Sequence, residues 1–261
     1  MRSILFAGLV LSLLGADMAA YAQRNMQRIE VNVGPKENRG ALLQLPDDYS
    51  NTKQRYPLIL FLHGKSKAGN DLSKLTLDGI PYLLHHGVKL NTVNPEDGKL
   101  YKFIILMPQA VSWGLKPAQV NAVLNDAIRR YRIDTSRIYI TGYSAGGSTT
   151  VSALTENKAL TRRFAAAVSL SPVLLDDKNM AQFKLVADAN VPCWYFAGEQ
   201  EPYFLRTVRR FIDSTNQYKE GLTKLTIGQH GHCCFKDIYT PSYKVGGLNI
   251  YEWMLQHKRK D

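Results

Sequence analysis

The chain is short of cysteine, of acidic residues and of long apolar runs, and each shortage removes a class of protein. Three cysteines, Cys193, Cys233 and Cys234, allow at most one disulfide within the chain, which excludes a scaffold built on disulfides. The adjacent pair Cys233-Cys234 lacks metal-ligand spacing, no cysteine sits on a nucleophile turn, and buried structural cysteines are the expectation. The apolar run over residues 4–14 is too short to span a bilayer, and the charged Asp17 prevents its extension. No repeat, heptad or low-complexity tract occurs. Acidic residues number 22 against 33 Lys and Arg, a net charge of +11. The basic clusters Arg129-Arg130-Tyr131-Arg132, Arg162-Arg163, Arg206 with Arg209-Arg210, and His257-Lys258-Arg259-Lys260 are scattered, which reads as solvated helix faces and ends. No nucleic-acid motif accompanies them, so nucleic acid is not an expected partner.

What is present starts with a leader. Arg2, the apolar run and the small-x-small site Ala20-Tyr21-Ala22 read as a secretory signal over residues 1–22. A secreted or periplasmic protein is expected, and with no cysteine near the cleavage site no lipid or membrane anchor is expected. Residues 23–261 suit one domain with a large core.

Apolar runs alternate with helical stretches along that domain. Strands are expected over residues 27–33, 41–45, 57–62, 103–107, 137–141, 164–170, 191–197 and 222–227, the first two joined by a turn and antiparallel. Helices are expected over 71–86, 117–131, 145–155, 203–218 and 248–258. The pattern predicts an α/β fold: a mostly parallel eight-stranded sheet with helices on both faces. The short gap between residues 170 and 191 leaves no room for a large cap domain.

Gly142-Tyr143-Ser144-Ala145-Gly146 lies between an expected strand and an expected helix. A tight strand-to-helix turn there exposes Ser144 as a nucleophile, admits only glycine two residues to either side, and aims the Ala145 N–H at a developing oxyanion. A second oxyanion donor is expected from the loop after the third strand, where Lys65 N–H is the candidate and His63 a structural residue. Lys65 and Lys67 on that loop are also candidates to meet a substrate carboxylate. Ser–His–acid chemistry on this architecture needs an acid after a late strand and a histidine after the last. Glu201 is the candidate acid, with Glu199, Asp176 and Asp177 as alternatives. His232 is the candidate base, with His230 as the alternative.

These segments resemble the secreted α/β-hydrolase esterases of the polyhydroxybutyrate depolymerase, feruloyl esterase and dienelactone-hydrolase-like group. The resemblance runs from about residue 55 to the C-terminus. It rests on Pro57-Leu58-Ile59-Leu60-Phe61-Leu62-His63-Gly64, on Met107-Pro108-Gln109 with Trp113, on residues 131–147 through the elbow, and on Gly231-His232. It implies the α/β-hydrolase fold, favours His232 over His230, and places Trp113 near the substrate pocket; Tyr143 is a further substrate-binding candidate. Glu201 stands where the group usually carries aspartate, and Ser144 stands where true dienelactone hydrolases carry cysteine. A carboxylic ester hydrolase needing no metal or cofactor is thus expected, acting on esters of polymers or plant-derived glycans. The alternatives are a serine peptidase or acyltransferase, and a non-catalytic binding protein. The pairing of the cysteines and the oligomeric state are left open.

Overall fold

Tyr56–Leu62 is buried at every position, a pattern that suits a strand covered on both faces. A computed structural model describes residues 26–259; the expected leader, its cleavage site and Lys260 lie outside the described residues. In chain order the strands are β1 (Met26–Gly34), β2 (Glu37–Gln44), β3 (Tyr56–Leu62), β4 (Thr92–Val93), β5 (Leu100–Tyr101), β6 (Ile104–Pro108), β7 (Ile133–Tyr143), β8 (Ala166–Leu170), β9 (Cys193–Gly198) and β10 (Thr223–Gly228). Eight of them form one sheet in the order β1-β2-β6-β3-β7-β8-β9-β10. The β1–β2 hairpin and the β2–β6 pair are antiparallel. All other neighbours in the sheet are parallel.

The period-two alternation of the strands divides the core into two halves. Leu58, Leu60 and Leu62 face one cluster, with Val120, Leu124, Val151 and Phe211. Ile59 and Phe61 face the other, with Ile80, Trp194, Phe196, Tyr251 and Met254. Helices Pro117–Arg130, Ala145–Leu154 and Pro202–Asn216 cover the first face, and Gly79–His85, Phe235–Tyr239 and Ile250–Leu255 the second.

Several details depart from the sequence reading, among them four short helices that were not expected, Lys158–Thr161, Asp177–Met180, Phe183–Asp188 and Phe235–Tyr239. The helix expected over 71–86 is a 3-10 turn, Leu72–Leu77, followed by the α-helix Gly79–His85, because Asp78 is extended at φ −162° and its carboxylate caps Gly79 N. The last helix is shorter than expected at Ile250–Leu255; Asn249 caps it by accepting from Tyr251 N and Glu252 N. The β4–β5 ribbon was not expected, since arms of two residues carry no readable alternation. Between β8 and β9 stand only the short helices Asp177–Met180 and Phe183–Asp188, and among the described residues no large cap domain covers the sheet. Among the described residues no helix is long and apolar enough to cross a membrane.

Because β6, β3, β7, β8, β9 and β10 run parallel, their carboxyl ends at Pro108, Leu62, Tyr143, Leu170, Gly198 and Gly228 lie along one edge of the sheet. Every loop of the candidate site leaves from that edge.

Candidate active site

Ser144 sits between β7 and the helix Ala145–Leu154 at φ 53° and ψ −119°, a conformation that L residues rarely hold without compensation. Sterics supply it. A Cβ on Gly142 would lie 2.5 Å from Leu62 O and 2.6 Å from the Gly146 carbonyl carbon, and one on Gly146 would overlap the Leu62 carbonyl. Backbone therefore packs on backbone at this turn, and Ser144 N donates to Leu170 O of the next strand at 2.8 Å. Ala145 is the first residue of its helix, so its N–H has no carbonyl one turn back to meet. Lys65 opens the 3-10 turn Lys65–Lys67 after β3 in the same way.

His232 Nε2 lies 2.9 Å from Ser144 Oγ, and its Nδ1 hydrogen-bonds Glu201 Oε1. Glu201 precedes the helix Pro202–Asn216 and is 4% exposed. Its second oxygen, Oε2, accepts from Ser171 Oγ and from Gly198 N, each at 2.8 Å. Burial by itself raises the Glu201 pKa, but the hydrogen bonds from His232, Ser171 and Gly198 N outweigh it and hold the carboxyl below its ordinary range. The imidazole is gripped from two sides. Phe204 stacks on it at 4.1 Å and 11°, and the Phe235 ring meets it edge-on at 5.3 Å and 82°.

The alternatives stand elsewhere. His230 Nδ1 bonds Gly231 O at 2.9 Å and stays 3.9 Å from Glu201, too far for a hydrogen bond. Glu199 is exposed, and Asp176 caps the helix that Asp177 begins. His63 is buried: its Nε2 accepts from Ala110 N at 2.9 Å, so its Nδ1 donates to Gly64 O at 2.8 Å. Burial lowers its pKa and keeps it neutral, so it ties the loop after β3 to the loop after β6.

A cleft of about 700 Å³ opens over Ser144. Residues Gly64 to Ala68 line one part, Val111 and Ser112 another, Tyr143 and Asp78 lie within it, and His232 to Phe235 complete it. Lys65 and Lys67 are both in this lining. Trp113 is 42% exposed and sits at the rim, its ring centroid 5.4 Å from Lys65 Nζ, outside the cleft lining. Tyr143 is buried beneath the cleft and stacks on Phe235 at 4.5 Å.

The cysteines correct the sequence reading. Cys193 is buried and free, its thiol pushed up to about 12 by burial, but Cys233 and Cys234 are exposed in the cleft and joined as a disulfide. The loop from β10 to the next helix carries them past Ser144 instead of into the core. Four contributors escaped the sequence reading: Ser171, Phe204, Phe235 and the disulfide. Only Ser171 had a signal, as the residue just past the β8 carboxyl end.

Solved structures share this architecture. The most similar include a thermostable esterase (20% identity, TM-score 0.64), which overlaps 90% of this chain, while this chain spans 64% of that one. The chain has the α/β-hydrolase fold. A fluorophosphonate-binding serine hydrolase F of Staphylococcus aureus, solved with substrate bound, matches 88% of this chain and 98% of its own length (16% identity, TM-score 0.60). A ferulic acid esterase matches over 88% and 99% (14% identity, TM-score 0.56). In sequence, residues 116–204, from just before the helix Pro117–Arg130 through the elbow to Phe204, are similar to the prolyl oligopeptidase family. No curated protein matches the chain.

Proposed function

We propose that the protein is an exported serine hydrolase of carboxylic esters, working through an acyl-enzyme. One observation carries this reading: Ser144 Oγ, His232 and buried Glu201 stand in one hydrogen-bonded line at the head of a strained elbow.

In this reading Ser144 Oγ attacks the ester carbonyl carbon while His232 Nε2 takes the hydroxyl proton. Glu201 holds Nδ1–H, orients the ring and stabilises the imidazolium. The carbonyl oxygen becomes an oxyanion, which the Ala145 and Lys65 amides receive. Collapse expels the alcohol with the proton from His232. Water then repeats the attack on the acyl group, giving its proton to Nε2, and the acid leaves as Ser144 is restored. The Phe204 stack and the Phe235 edge keep the imidazole from rotating between the two half-reactions. A cleft without a large cap domain suits esters displayed on polymers or plant-derived glycans, of feruloyl, acetyl or hydroxyalkanoate type. The signal-like residues 1–22 support export to the periplasm or beyond.

The match of residues 116–204 to the prolyl oligopeptidase family favours a second reading, a serine peptidase. Both are tested by comparing p-nitrophenyl esters and methyl ferulate with dipeptidyl p-nitroanilides, beside Ser144→Ala. Ester turnover that Ser144→Ala abolishes, with anilides untouched, is the expected result. Anilide turnover above ester turnover would replace the esterase with a peptidase, and no Ser144-dependent turnover of either would end both readings.

A further inference from the structure

Cys233 and Cys234 directly follow His232 and form a disulfide between adjacent residues, exposed in the cleft. Such a bond encloses no loop. Because the stabilisation a disulfide supplies through the unfolded chain grows with the length it closes, this one contributes little to global stability, and its effect is on local backbone. That backbone is unusual: Cys234 holds φ 62° and ψ 31°, in the left-handed region, where a residue with a Cβ is disfavoured. The small covalent ring through the Cys233–Cys234 peptide restricts the rotations by which Cys234 would escape.

The next residue is where this matters. Phe235 begins the helix Phe235–Tyr239, is 3% exposed, and touches both His232 and Tyr143. The direction in which the chain leaves Cys234 therefore sets where the Phe235 ring meets the imidazole. Close to Cys234 the other ties are Cys233 N to Gly231 O at 2.8 Å, Asp237 N to Cys234 O at 3.0 Å and Lys236 N to Asp78 Oδ1 at 2.7 Å. The far end of the helix is anchored at Tyr239, whose hydroxyl bonds Thr141 Oγ1 at 2.8 Å and whose carbonyl accepts from Tyr251 OH at 2.7 Å, so the freedom that matters lies between His232 and Phe235.

We infer that the Cys233–Cys234 disulfide is a positioning element for His232: it holds Cys234 left-handed, seats Phe235 against the imidazole, and makes turnover depend on its redox state. The inference rests on the serine hydrolase reading. On reduction, a dithiol supplies two electrons and two protons; the S–S bond breaks, Cys233 and Cys234 become thiols, and the dithiol closes to its own disulfide. Cys193, buried with its thiol pKa raised, stays out of the exchange.

The test is to measure kcat and KM on p-nitrophenyl acetate before and after dithiothreitol, with thiols counted under denaturing conditions and the melting temperature followed. Full reduction should lower kcat about tenfold or more, as a small misplacement of a catalytic group does, with KM and melting little changed and the rate restored by re-oxidation. Cys233→Ser/Cys234→Ser should match the reduced enzyme and ignore dithiothreitol. Cys233→Ser/Cys234→Gly should recover most of the rate, because glycine takes positive φ freely. An unchanged kcat in fully reduced protein, a change confined to KM, or a glycine variant as slow as the serine one would each overturn the inference. Fluorophosphonate labelling of Ser144 in parallel separates the two readings. Slower labelling on reduction, without any ester turnover, would sink the esterase and keep the positioning role; oxidised protein that neither turns over nor labels would sink both.

Discussion

The elbow that carries Ser144 and the loop that carries His232 meet at a hydrogen bond of 2.9 Å, yet different forces hold them. At the elbow, backbone lies against backbone: Gly142 and Gly146 press on Leu62, and a Cβ on Gly147 would come within 2.7 Å of Leu170 O. Nothing there needs a particular side chain other than the nucleophile. The histidine loop, by contrast, is held through side chains: Glu201 on one ring nitrogen, Phe204 on the ring face, Phe235 on its flank, and a disulfide behind. A site can thus be rigid on one side by exclusion of volume and on the other by packing and hydrogen bonds. The two sides should fail differently.

The largest effect belongs to the nucleophile. Ser144→Ala should cut ester turnover by a factor of ~10³ or more while the melting temperature barely moves; a mutant retaining a tenth of wild-type activity would remove the elbow from the chemistry. Next comes the acid. Glu201→Gln should lower kcat by ~10²–10⁴, because the amide leaves Nδ1 without its anionic partner. The same residue has a pH signature. Its folded pKa is depressed, so its contribution to stability is present above the ordinary glutamate range and is lost as pH falls through the lower folded value. Over that acidic window the wild-type melting temperature should fall more steeply than that of Glu201→Gln; parallel curves would contradict the depressed pKa.

The contrast between the two sides sharpens with smaller changes. Gly146→Ala drives a methyl into the Leu62 carbonyl and should cost about 1–3 kcal/mol of stability or more, read as a lower denaturant midpoint. Phe204→Leu should do the reverse. It removes a ring stack of about 0.5–1.5 kcal/mol, and the expected result is a several-fold loss of kcat with stability nearly intact. If Gly146→Ala proved harmless to folding, or Phe204→Leu unfolded the protein, the division would be wrong. The smallest effect is expected at His230, whose ring bonds its own loop: His230→Ala should keep turnover within about threefold of wild type, a change of under 1 kcal/mol. Loss comparable to His232→Ala would move the base.

How much of this was readable in the chain obeys the same division. Ser144 stood out because its turn is so tight that the glycines are dictated locally, two residues to each side. Glu201 and His232 could be placed only by chain order, as polar residues following the strands now seen as β9 and β10. Position ranked Glu201 ahead of Glu199, and the physical reason is visible only in the turn where Glu201 N donates to Gly198 O at 3.0 Å and the side chain folds inward. His232 was preferred to His230 through the resemblance around Gly231-His232, and the loop path shows the geometry of that preference: Nε2 of His232 lies 2.9 Å from Ser144 Oγ while His230 bonds Gly231 O. Trp113 was expected near the pocket and stands at its rim, since the loop after β6 presents Val111 and Ser112 to the cleft.

The sequence by itself determined the strand alternation, the parallel sheet and the elbow, because these arise from periods and sterics between residues close in the chain. Tertiary structure decided the rest. Ser171 reaches Glu201 across 30 positions and Glu201 reaches His232 across 31, and no local pattern encodes a hydrogen bond between loops that only the stacking of parallel strands brings to one edge. The disulfide shows the limit most plainly: its two cysteines are neighbours in the chain, and yet whether they are buried and reduced or exposed and joined depended on where the fold sent the loop that carries them.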